Sequence, residues 1–285
     1  MPNKTRMAIF AHYDKDNVID DYVIYYLNAL KKVAQKIIFV SDCDLKTAET
    51  DKLQGIADEI IAKKHGEHDF GSYKRGFLFA QESNWLTGTD ILIFANDSCY
   101  GPFFPLENVF EKMEQEKSDF WGITQNNKFK IFKNCPWGET CEKAHIQSYF
   151  FVLKKEVFNS DVFLNFIKSI KKEKNRDEII LKYEIGLSEL LLENNFVMKS
   201  FIKAYSDESS PFLHRAQELI VNHGKPFLKC SIPRGRYVGI KADLAAAAEV
   251  SDYPMELITK NASRTQISQF FLITWLKKLK QLLFH

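Results

Sequence analysis

The sequence lacks the features that mark several large classes of protein. Its formal net charge is only +2, from 39 Lys and Arg against 37 Asp and Glu, so total charge gives no argument for a nucleic-acid partner. None of the 5 cysteines forms a CxxC pair, which argues against a zinc site and a disulfide framework. No uncharged apolar stretch reaches the roughly 18 residues of a membrane-spanning helix. We therefore expect a globular protein of the reducing cytoplasm.

Glycine and proline, with 12 and 8 residues, never cluster, and no internal repeat is evident. This leaves no candidate linker, so we expect one α/β domain over residues 1–262 and a distinct C-terminal helix over residues 263–285. No Gly-rich P-loop and no GxGxxG follows the first predicted strand, which excludes the common nucleotide-binding fingerprints.

Along the first half of the chain, short apolar runs alternate with segments whose apolar residues recur at helical spacing. The predicted strands are Arg6–Ala11, Lys36–Ser41, Asp58–Lys63 and Thr89–Ala95, and the predicted helices are Val18–Ala34, with Asn17 as its N-cap, and Gly71–Glu82. Strands that read as continuous apolar runs between helices predict an α/β fold, a mostly parallel central sheet flanked by helices.

The second half is more mixed. Strands are predicted at Asp119–Thr124 and Ser148–Leu153, and helices at Val162–Ile170 and Glu178–Glu193. A helix-prone patch at Ala245–Glu249 indicates a helical C-terminal extension.

The last segment, Gln266–His285, combines phenylalanine and Trp275 with charges that are all basic, among them Lys277 and Lys280. Such a composition is typical of a helix that lies on a membrane surface, so peripheral attachment to the inner face of the cell membrane is one prediction. The alternative is a terminal helix that docks on the core or on a second subunit, which would make a homo-oligomer.

Polar side chains follow three of the predicted strands, where ligands bind in an open parallel sheet. They are His12, Tyr13 and Asp14 after the first strand, Asp42 after the second, and Asn96 and Asp97 after the central one. Taken singly, such residues are often turn formers. Together they predict a site where a divalent cation such as Mn²⁺ or Mg²⁺ meets a diphosphate, with Lys74 and Arg75 as candidate phosphate ligands.

Several segments together resemble the rhamnan synthesis protein F family. They are AHYDKDNVIDDYVIYYLNAL, DFGSYKRG, ANDSCYGPF, HIQSYFFVLKKEVF, KYEIGLSELLLENNF and NHGKPFLKCSIPR, in order from about residue 8 to about residue 235. The family comprises bacterial glycosyltransferases of cell-surface polysaccharide assembly and is similar to the GT-A nucleotide-sugar fold. The resemblance therefore implies a nucleoside-diphosphate sugar as donor and a lipid-linked or oligosaccharide acceptor, without naming the sugar, the linkage or the stereochemistry.

The resemblance also implies roles for positions. Asn96 and Asp97 would occupy the place of the metal-binding acidic motif, but Asp97 is its only carboxylate, so the site would be weak or completed by a histidine such as His223. His12, Tyr13, Asp14 and Asp42 would face the nucleobase and ribose, and Lys74 and Arg75 the phosphates or the sugar.

The catalytic base implied by the resemblance is Glu184, in the segment KYEIGLSE, with Glu178 as a weaker substitute. His145, Gln147 and Tyr149 would contact the acceptor. The bland interpretation makes Glu184 a solvated member of an amphipathic helix. The competing function is a non-catalytic glycan-binding or scaffold subunit of the same assembly machinery, which the missing second acid beside Asp97 favours.

Overall fold

A mixed β-sheet runs through the centre of the molecule, with helices on both faces. The computed structural model describes residues 4–131, 139–141, 143–208, 211–236 and 240–265. The strands are β1 Arg6–His12, β2 Lys36–Ser41, β3 Glu59–Ala62, β4 Ile91–Asn96, β5 Cys99–Tyr100, β6 Phe120–Asn126, β7 Phe129–Ile131, β8 Glu139–Cys141, β9 His145–Ile146, β10 Phe150–Lys154, β11 Met198–Ile202 and β12 Leu228–Lys229.

The helices are α1 Asp21–Lys31, α2 Thr47–Thr50, α3 His68–Glu82, α4 Leu106–Glu114, α5 Lys155–Phe158, α6 Asp161–Ser169, α7 Arg176–Ile179, α8 Gly186–Glu193, α9 Pro211–His214, α10 Ala216–Val221 and α11 Ile240–Val250. Residues 255–265 are also helical. Short 3₁₀ turns occur at Asp51–Leu53 and Leu86–Gly88, and π-helical turns at Ile180–Ile185 and Ile232–Arg236.

The main sheet has the strand order β11-β6-β10-β4-β1-β2-β3, and β9 pairs with the end of β6. Strands β1 to β4 are mutually parallel where they pair, as are β6 and β11, whereas β10 is antiparallel to both of its neighbours. The prediction of an α/β fold with a mostly parallel sheet flanked by helices is therefore confirmed, with β10 and the short β9 as the antiparallel strands.

The order of the strands reverses at β1. The chain first builds outward from β1 to β2 and β3, and then returns to place β4 on the other side of β1. Ala11 near the end of β1 stands level with Asn96 at the end of β4. In open α/β sheets the crevice beyond the strand ends at such a reversal is the usual ligand site.

Two apolar layers, one on each face of the sheet, make the core. Helices α1, α4 and α10 cover one face, and α3, α6 and α8 cover the other. Helix α3 lies close to β1 because Gly76 has no side chain, and a Cβ at that position would stand 2.5 Å from Cγ2 of Ile9. Aromatic rings fill both layers, as in the stacked pair Phe94 and Phe151, whose centroids are 4.6 Å apart.

Every strand and helix expected in the two halves occurs, with small shifts of its ends, but one predicted cap is wrong. Helix α1 begins at Asp21 with Asp20 as N-cap, and Asn17 lies in a left-handed turn with φ of 56°. The cause is tertiary, because Glu49 accepts the backbone N–H of Ile19 and holds the chain extended before the helix.

The predicted C-terminal helix Gln266–His285 lies outside the described residues, so the division of the chain at residue 263 stays a prediction. Within the described part of the chain, no helix has the length and hydropathy needed to cross a bilayer.

Candidate active site at the strand ends

Asp97 and His12 lie side by side at the reversal point of the sheet. Oδ2 of Asp97 accepts the backbone N–H of Tyr13 at 2.9 Å and stands 3.9 Å from Nε2 of His12. Nδ1 of His12 contacts Oγ of Ser41 at 2.8 Å, which fixes the ring against β2. Burial raises the pKa of the Asp97 carboxyl, and the neighbouring His12 opposes that rise. The tyrosine side chain at position 13 points into solvent and is 58% exposed.

Asn96 is a buried connector. Its amide nitrogen donates to Oδ2 of Asp69 at 3.1 Å, and its amide oxygen accepts from the backbone and hydroxyl of Ser98. Oγ of Ser98 in turn accepts from Nζ of Lys229 at 2.8 Å. The amide therefore ties an acid on one side of the site to a cation on the other.

Asp69 is a site residue that the sequence-based interpretation did not single out. It lies in the first turn of α3, directly after His68, whose φ of 57° is left-handed. Burial raises the pKa of the Asp69 carboxyl, the charge of Glu184 adds to the rise, and Lys229 opposes it. The available signal was the position of Asp69 at the head of the DFGSYKRG segment.

Glu184 reaches the same cluster from the opposite side. Both its Oε2 contacts come from Ser148, whose backbone N–H donates at 2.8 Å and whose hydroxyl donates at 2.6 Å. The carbonyl of Ser148 accepts from Tyr73 at 2.8 Å. Glu184 belongs to the π-helical turn Ile180–Ile185, a distortion often found at functional sites. In the described part of the chain, no hydrogen bond is made to its second oxygen, Oε1.

We call these residues the strand-end cluster: His12, Asp69, Asn96, Asp97, Ser98, Ser148, Glu184 and Lys229. It brings three carboxylates and one lysine to the crevice beyond β1 and β4. An arrangement of this kind can hold a polar ligand, accept a proton through a carboxylate, and neutralise negative charge through the ammonium group.

Two of the predicted acceptor residues lie beside the cluster. The hydroxyl of Thr124 contacts both Oε1 of Gln147 and the hydroxyl of Tyr149, the latter at 2.8 Å. Nζ of Lys229 stands 5.2 Å from the ring centroid of Tyr149, within cation–π range. Both side chains are buried.

His145 is placed differently. Its Nδ1 contacts the carbonyl of Lys143 at 2.7 Å, and its Nε2 is buried without a hydrogen-bond partner in the described residues. Asn126, its register partner between β6 and β9, also has a buried amide oxygen that lacks a partner there. His145 and Asn126 therefore place two buried polar atoms without hydrogen-bond partners among the described residues next to the predicted acceptor residues.

Asp42 supports the backbone. Its Oδ1 accepts from the backbone N–H groups of His65 and Gly66, and Nε2 of His65 stands 3.0 Å from Oγ of Ser72. Asp42, His65 and Ser72 follow one another in space like the acid, base and nucleophile of a hydrolytic triad. In such a triad Nδ1 would carry the ring proton, but here Nδ1 of His65 accepts the backbone N–H of Glu67 at 3.1 Å. The ring proton therefore lies on Nε2, so the histidine cannot take the serine proton as a hydrolytic triad requires.

Asp14 is occupied by an arginine from far along the sequence. Arg264, in the helical residues 255–265, donates to Asp14, to Asp16 at 2.9 Å and to Asp20 at 2.6 Å. Burial alone would raise the pKa of Asp14. The hydrogen bond from Arg264 and two backbone N–H groups together lower the pKa by more than burial raises it, so the net shift is downward. Asp14 thus fixes the β1–α1 loop to the helical residues 255–265.

The structure does not bring Lys74, Arg75 or His223 into the strand-end cluster. Nζ of Lys74 donates to the carbonyl of Ile170 at 2.6 Å, and the guanidinium of Arg75 is held bidentately by Glu67. Both residues follow Asp69 on α3, but their turns of the helix face α6 and the helix start. His223 is exposed after α10 and contacts the ring of Tyr205.

The residues around Asp97 do not form a preformed metal cage. Among the described residues, no group of three or more His, Cys, Asp and Glu side chains is arranged to hold an ion. Asn96, the other candidate ligand, spends its amide oxygen on Ser98. Hard cations in nucleotide sites are often held by one or two carboxylates together with phosphate oxygens, and Asp97 offers one carboxylate.

The chain matches the family described as RgpF, rhamnan synthesis protein F, over residues 37–282. It is 28% identical over 189 residues to virulence protein VirA of Vibrio anguillarum, an alignment that covers 66% of this chain and 56% of VirA. It is 24% identical over 200 residues to the uncharacterized protein y4gN of Sinorhizobium fredii, covering 70% and 48% of the two chains. The chain thus spans about half the length of these curated relatives.

Solved structures with a related arrangement are more distant. A 4-diphosphocytidyl-2C-methyl-D-erythritol synthase from Anaerococcus prevotii superposes with a TM-score of 0.46 at 14% identity, over 73% of this chain and 92% of that one. Core-mannan synthase A from Aspergillus fumigatus, in its Mn/GDP form, gives 0.39 at 10% identity, over 66% and 70%.

Proposed function

Because the chain belongs to the rhamnan synthesis protein F family, we propose that it is a glycosyltransferase of polysaccharide synthesis. It would move a sugar from a nucleoside-diphosphate donor to a growing cell-surface polysaccharide of the O-antigen, capsule or rhamnan type. The observation that carries this proposal is the convergence of Asp69, Asp97 and Glu184 with Lys229 at the reversal point of the sheet.

In the reaction, an acceptor hydroxyl oxygen bonds to the anomeric carbon of the sugar, and the bond from that carbon to the diphosphate oxygen breaks. Glu184 is the proposed base, and it takes the hydroxyl proton as the new bond forms. Its Oε2 is fixed by two hydrogen bonds from Ser148, which leaves Oε1 to receive the proton. Asp97 and His12 would face the donor, and Gln147 and Tyr149 would line the acceptor side.

A divalent cation belongs to the proposal. Asp97 is the carboxylate that would hold Mn²⁺ or Mg²⁺ together with donor phosphate oxygens, and the ion would supply charge neutralisation when bound. Since Asp97 is a single ligand, metal dependence is an outcome to be measured. His223 is exposed and packs on Tyr205, away from Asp97. We therefore expect His223→Ala to leave the metal dependence of the reaction unchanged.

The decisive experiment measures donor hydrolysis and sugar transfer for the wild type, Asp97→Asn, Glu184→Gln and Glu193→Gln, with Mn²⁺, with Mg²⁺ and with EDTA. Glu193 ends α8 on an exposed surface and is the matched control for Glu184. We expect Glu184→Gln to reduce the rate of transfer about 10²- to 10⁴-fold while nucleoside-diphosphate affinity stays unchanged. The absence of turnover with any donor and any metal would refute the proposal.

The acceptor is proposed to be lipid-linked and presented at the inner membrane surface, where the basic and aromatic sequence Gln266–His285 would attach the protein. A chain ending at residue 265 should lose binding to vesicles that contain anionic lipid and keep activity on a soluble acceptor. Loss of solubility with no vesicle binding in the full chain would instead assign the segment to the core or to a subunit contact.

A non-catalytic glycan-binding or scaffold subunit is the second candidate. It is favoured by the single carboxylate after β4, where two would form a stronger metal site. Glycan binding by the wild type that persists in both Asp97→Asn and Glu184→Gln, with no donor turnover, would support this candidate over the enzyme.

A further inference from the structure

One short segment, residues 225–234, carries Lys229 of the strand-end cluster and two further basic residues, Lys225 and Arg234. None of them forms an ion pair with a carboxylate in the part of the chain that the structure describes. Other arginines in the molecule do, such as Arg75 with Glu67 and Arg264 with Asp14. The segment therefore differs from them in that the direct side-chain partners of its cations are uncharged groups.

Lys229 is placed by strand pairing. Strand β12 is antiparallel to β5, and Lys229 stands opposite Cys99, two residues beyond Asp97. Its ammonium group donates to the hydroxyl of Ser98 at 2.8 Å and lies over the ring of Tyr149. Both contacts are with uncharged groups, although the ammonium group is near enough to Asp69 to oppose the rise in the pKa of that carboxyl.

Arg234 is linked to the same strand end through Cys230, whose carbonyl accepts the backbone N–H of Arg234 at 3.2 Å and whose thiol contacts the carbonyl of Asp97 at 3.5 Å. Its Nε and Nη2 donate to the amide oxygen of Asn261 at 3.2 and 2.9 Å, and its guanidinium is close enough to Asp97 to lower the pKa of that carboxyl. In the described residues, its hydrogen-bond partners are again neutral groups. A partly enclosed guanidinium held in this way keeps a planar face and its remaining N–H donors for a ligand.

Lys225 is the one fully buried cation of the three. It is 1% exposed, and its ammonium donates to the carbonyl of Phe212 at 3.4 Å. Burial lowers its pKa to about 8, and the like charge of Lys229 contributes. Lys225 is enclosed by the core and is not offered as a ligand contact.

Lys229 and Arg234 are half-buried and their side-chain hydrogen bonds go to uncharged groups, so both cations keep N–H donors for an anionic ligand. The crevice beyond β1 and β4 is where a ligand of this fold is expected, and Lys229 through Ser98 and Arg234 through Cys230 are both joined to the β4 end that borders it. An arginine fork and a lysine point charge are the usual protein partners of phosphate oxygens.

We infer that Lys229 and Arg234 bind the diphosphate of the donor and stabilise the negative charge that develops on it as the bond to the sugar breaks. This inference rests on the proposed function and deepens it. It transfers the phosphate-binding role expected of Lys74 and Arg75 to residues that lie more than 150 positions later in the chain. With two cations on the diphosphate, the donor site would depend less on a metal, which fits the single carboxylate, Asp97, that follows β4.

The test is isothermal titration of the full chain with UDP, GDP, CDP, dTDP, their nucleosides and inorganic pyrophosphate, each with EDTA and with Mn²⁺. The variants are Lys229→Ala, Lys229→Arg, Arg234→Gln and Arg234→Lys. The control is Lys260→Ala, which removes a surface cation paired with Asp21. Circular dichroism and thermal unfolding identify any variant that fails to fold, and Lys229→Gln or Arg234→Met, which also remove the charge, then serve in its place.

We expect Lys229→Ala and Arg234→Gln each to weaken the best-bound nucleoside diphosphate on the order of 10- to 100-fold with EDTA, as loss of a charge-assisted hydrogen bond predicts. Lys229→Arg should restore most of the affinity. Binding of the matching nucleoside and of every ligand to Lys260→Ala should stay at the wild-type level.

The outcomes separate this inference from the proposed function. If the wild type transfers sugar and both charge-removing variants bind the diphosphate as it does, the inference is wrong and the proposed function stands. If the variants lose diphosphate binding but no donor is ever turned over, the diphosphate-binding part of the inference stands, whereas its leaving-group part and the proposed function fail. If the wild type binds no nucleoside diphosphate and no pyrophosphate, both are wrong.

Discussion

The attachment of the β1–α1 loop by Arg264 gives the sharpest prediction about stability. Arg264 donates to Asp14, Asp16 and Asp20, and the side chains of Asp14 and Asp20 are only 11% and 18% exposed. Arg264→Ala would leave these two carboxylates partly buried and close to each other without a cation. Since a hydrogen bond to a charged group contributes about 1.5–3 kcal/mol, we expect the free energy of unfolding to fall by about 2–3 kcal/mol at pH 7.

The loss should depend on pH in a definite direction. The net pKa of Asp14 is lowered in the fold, because the hydrogen bond from Arg264 and two backbone N–H groups outweigh burial. A carboxyl with a lowered pKa stabilises the fold above its unfolded value of about 3.9 and loses that contribution as pH falls further. The difference between wild type and Arg264→Ala should therefore be full near neutral pH and shrink below about pH 4.

The assay is urea unfolding followed by circular dichroism at pH 7, 5 and 3.5, with equal slopes of the transitions as the condition for comparing midpoints. Lys260→Ala is the matched control, because it lies one turn earlier on the same helix and its ion pair with Asp21 is largely exposed. An effect of Arg264→Ala no larger than that of Lys260→Ala, or one that is unchanged at pH 3.5, would refute the reasoning.

Three further changes test other parts of the structure. Asp69→Asn should raise the melting temperature at pH 7, because burial, and after it the charge of Glu184, raises the pKa of the Asp69 carboxyl and disfavours its ionised form in the fold. The gain in melting temperature should vanish as the pH falls to about 4, and an equal gain at both pH values would contradict this. Gly76→Val should lower the free energy of unfolding by about 1–3 kcal/mol, because its Cβ would overlap Ile9, whereas a neutral result in denaturant unfolding would show that α3 can move away. Ser160→Ala should cost about 1 kcal/mol in the same assay, because the serine hydroxyl accepts the backbone N–H of Phe163 at the start of α6, and Ser160→Thr should keep most of that stability.

The secondary structure could largely be predicted from local patterns. Continuous apolar runs such as Lys36–Ser41 became strands with the same bounds, because a strand buried on both faces needs an unbroken apolar sequence. The predicted cap at Asn17 was wrong, because a long-range contact between Glu49 and Ile19 decides where α1 begins. Local propensity competes poorly with such a contact.

The site could be predicted in part. The placement of Asp97 beside His12 follows from the rule that parallel strands end at one edge of the sheet, and the sequence contains both strands. The roles expected for Lys74 and Arg75 were drawn from their position in a motif, and a motif does not specify which side of a helix faces the crevice. In the structure Asp69 faces it, and Lys74 donates to Ile170.

The sequence by itself determined the α/β class, the positions of most strands and helices, and the set of polar residues that follow the strands. Only the tertiary structure decided which charges meet. Lys229 joins Ser98 across 131 positions and Arg264 joins Asp14 across 250, through strand pairing and helix docking that leave no local periodicity in the chain. Electrostatic attraction and burial depend on distance in space, so the balance of three carboxylates against late-sequence cations becomes visible only after folding.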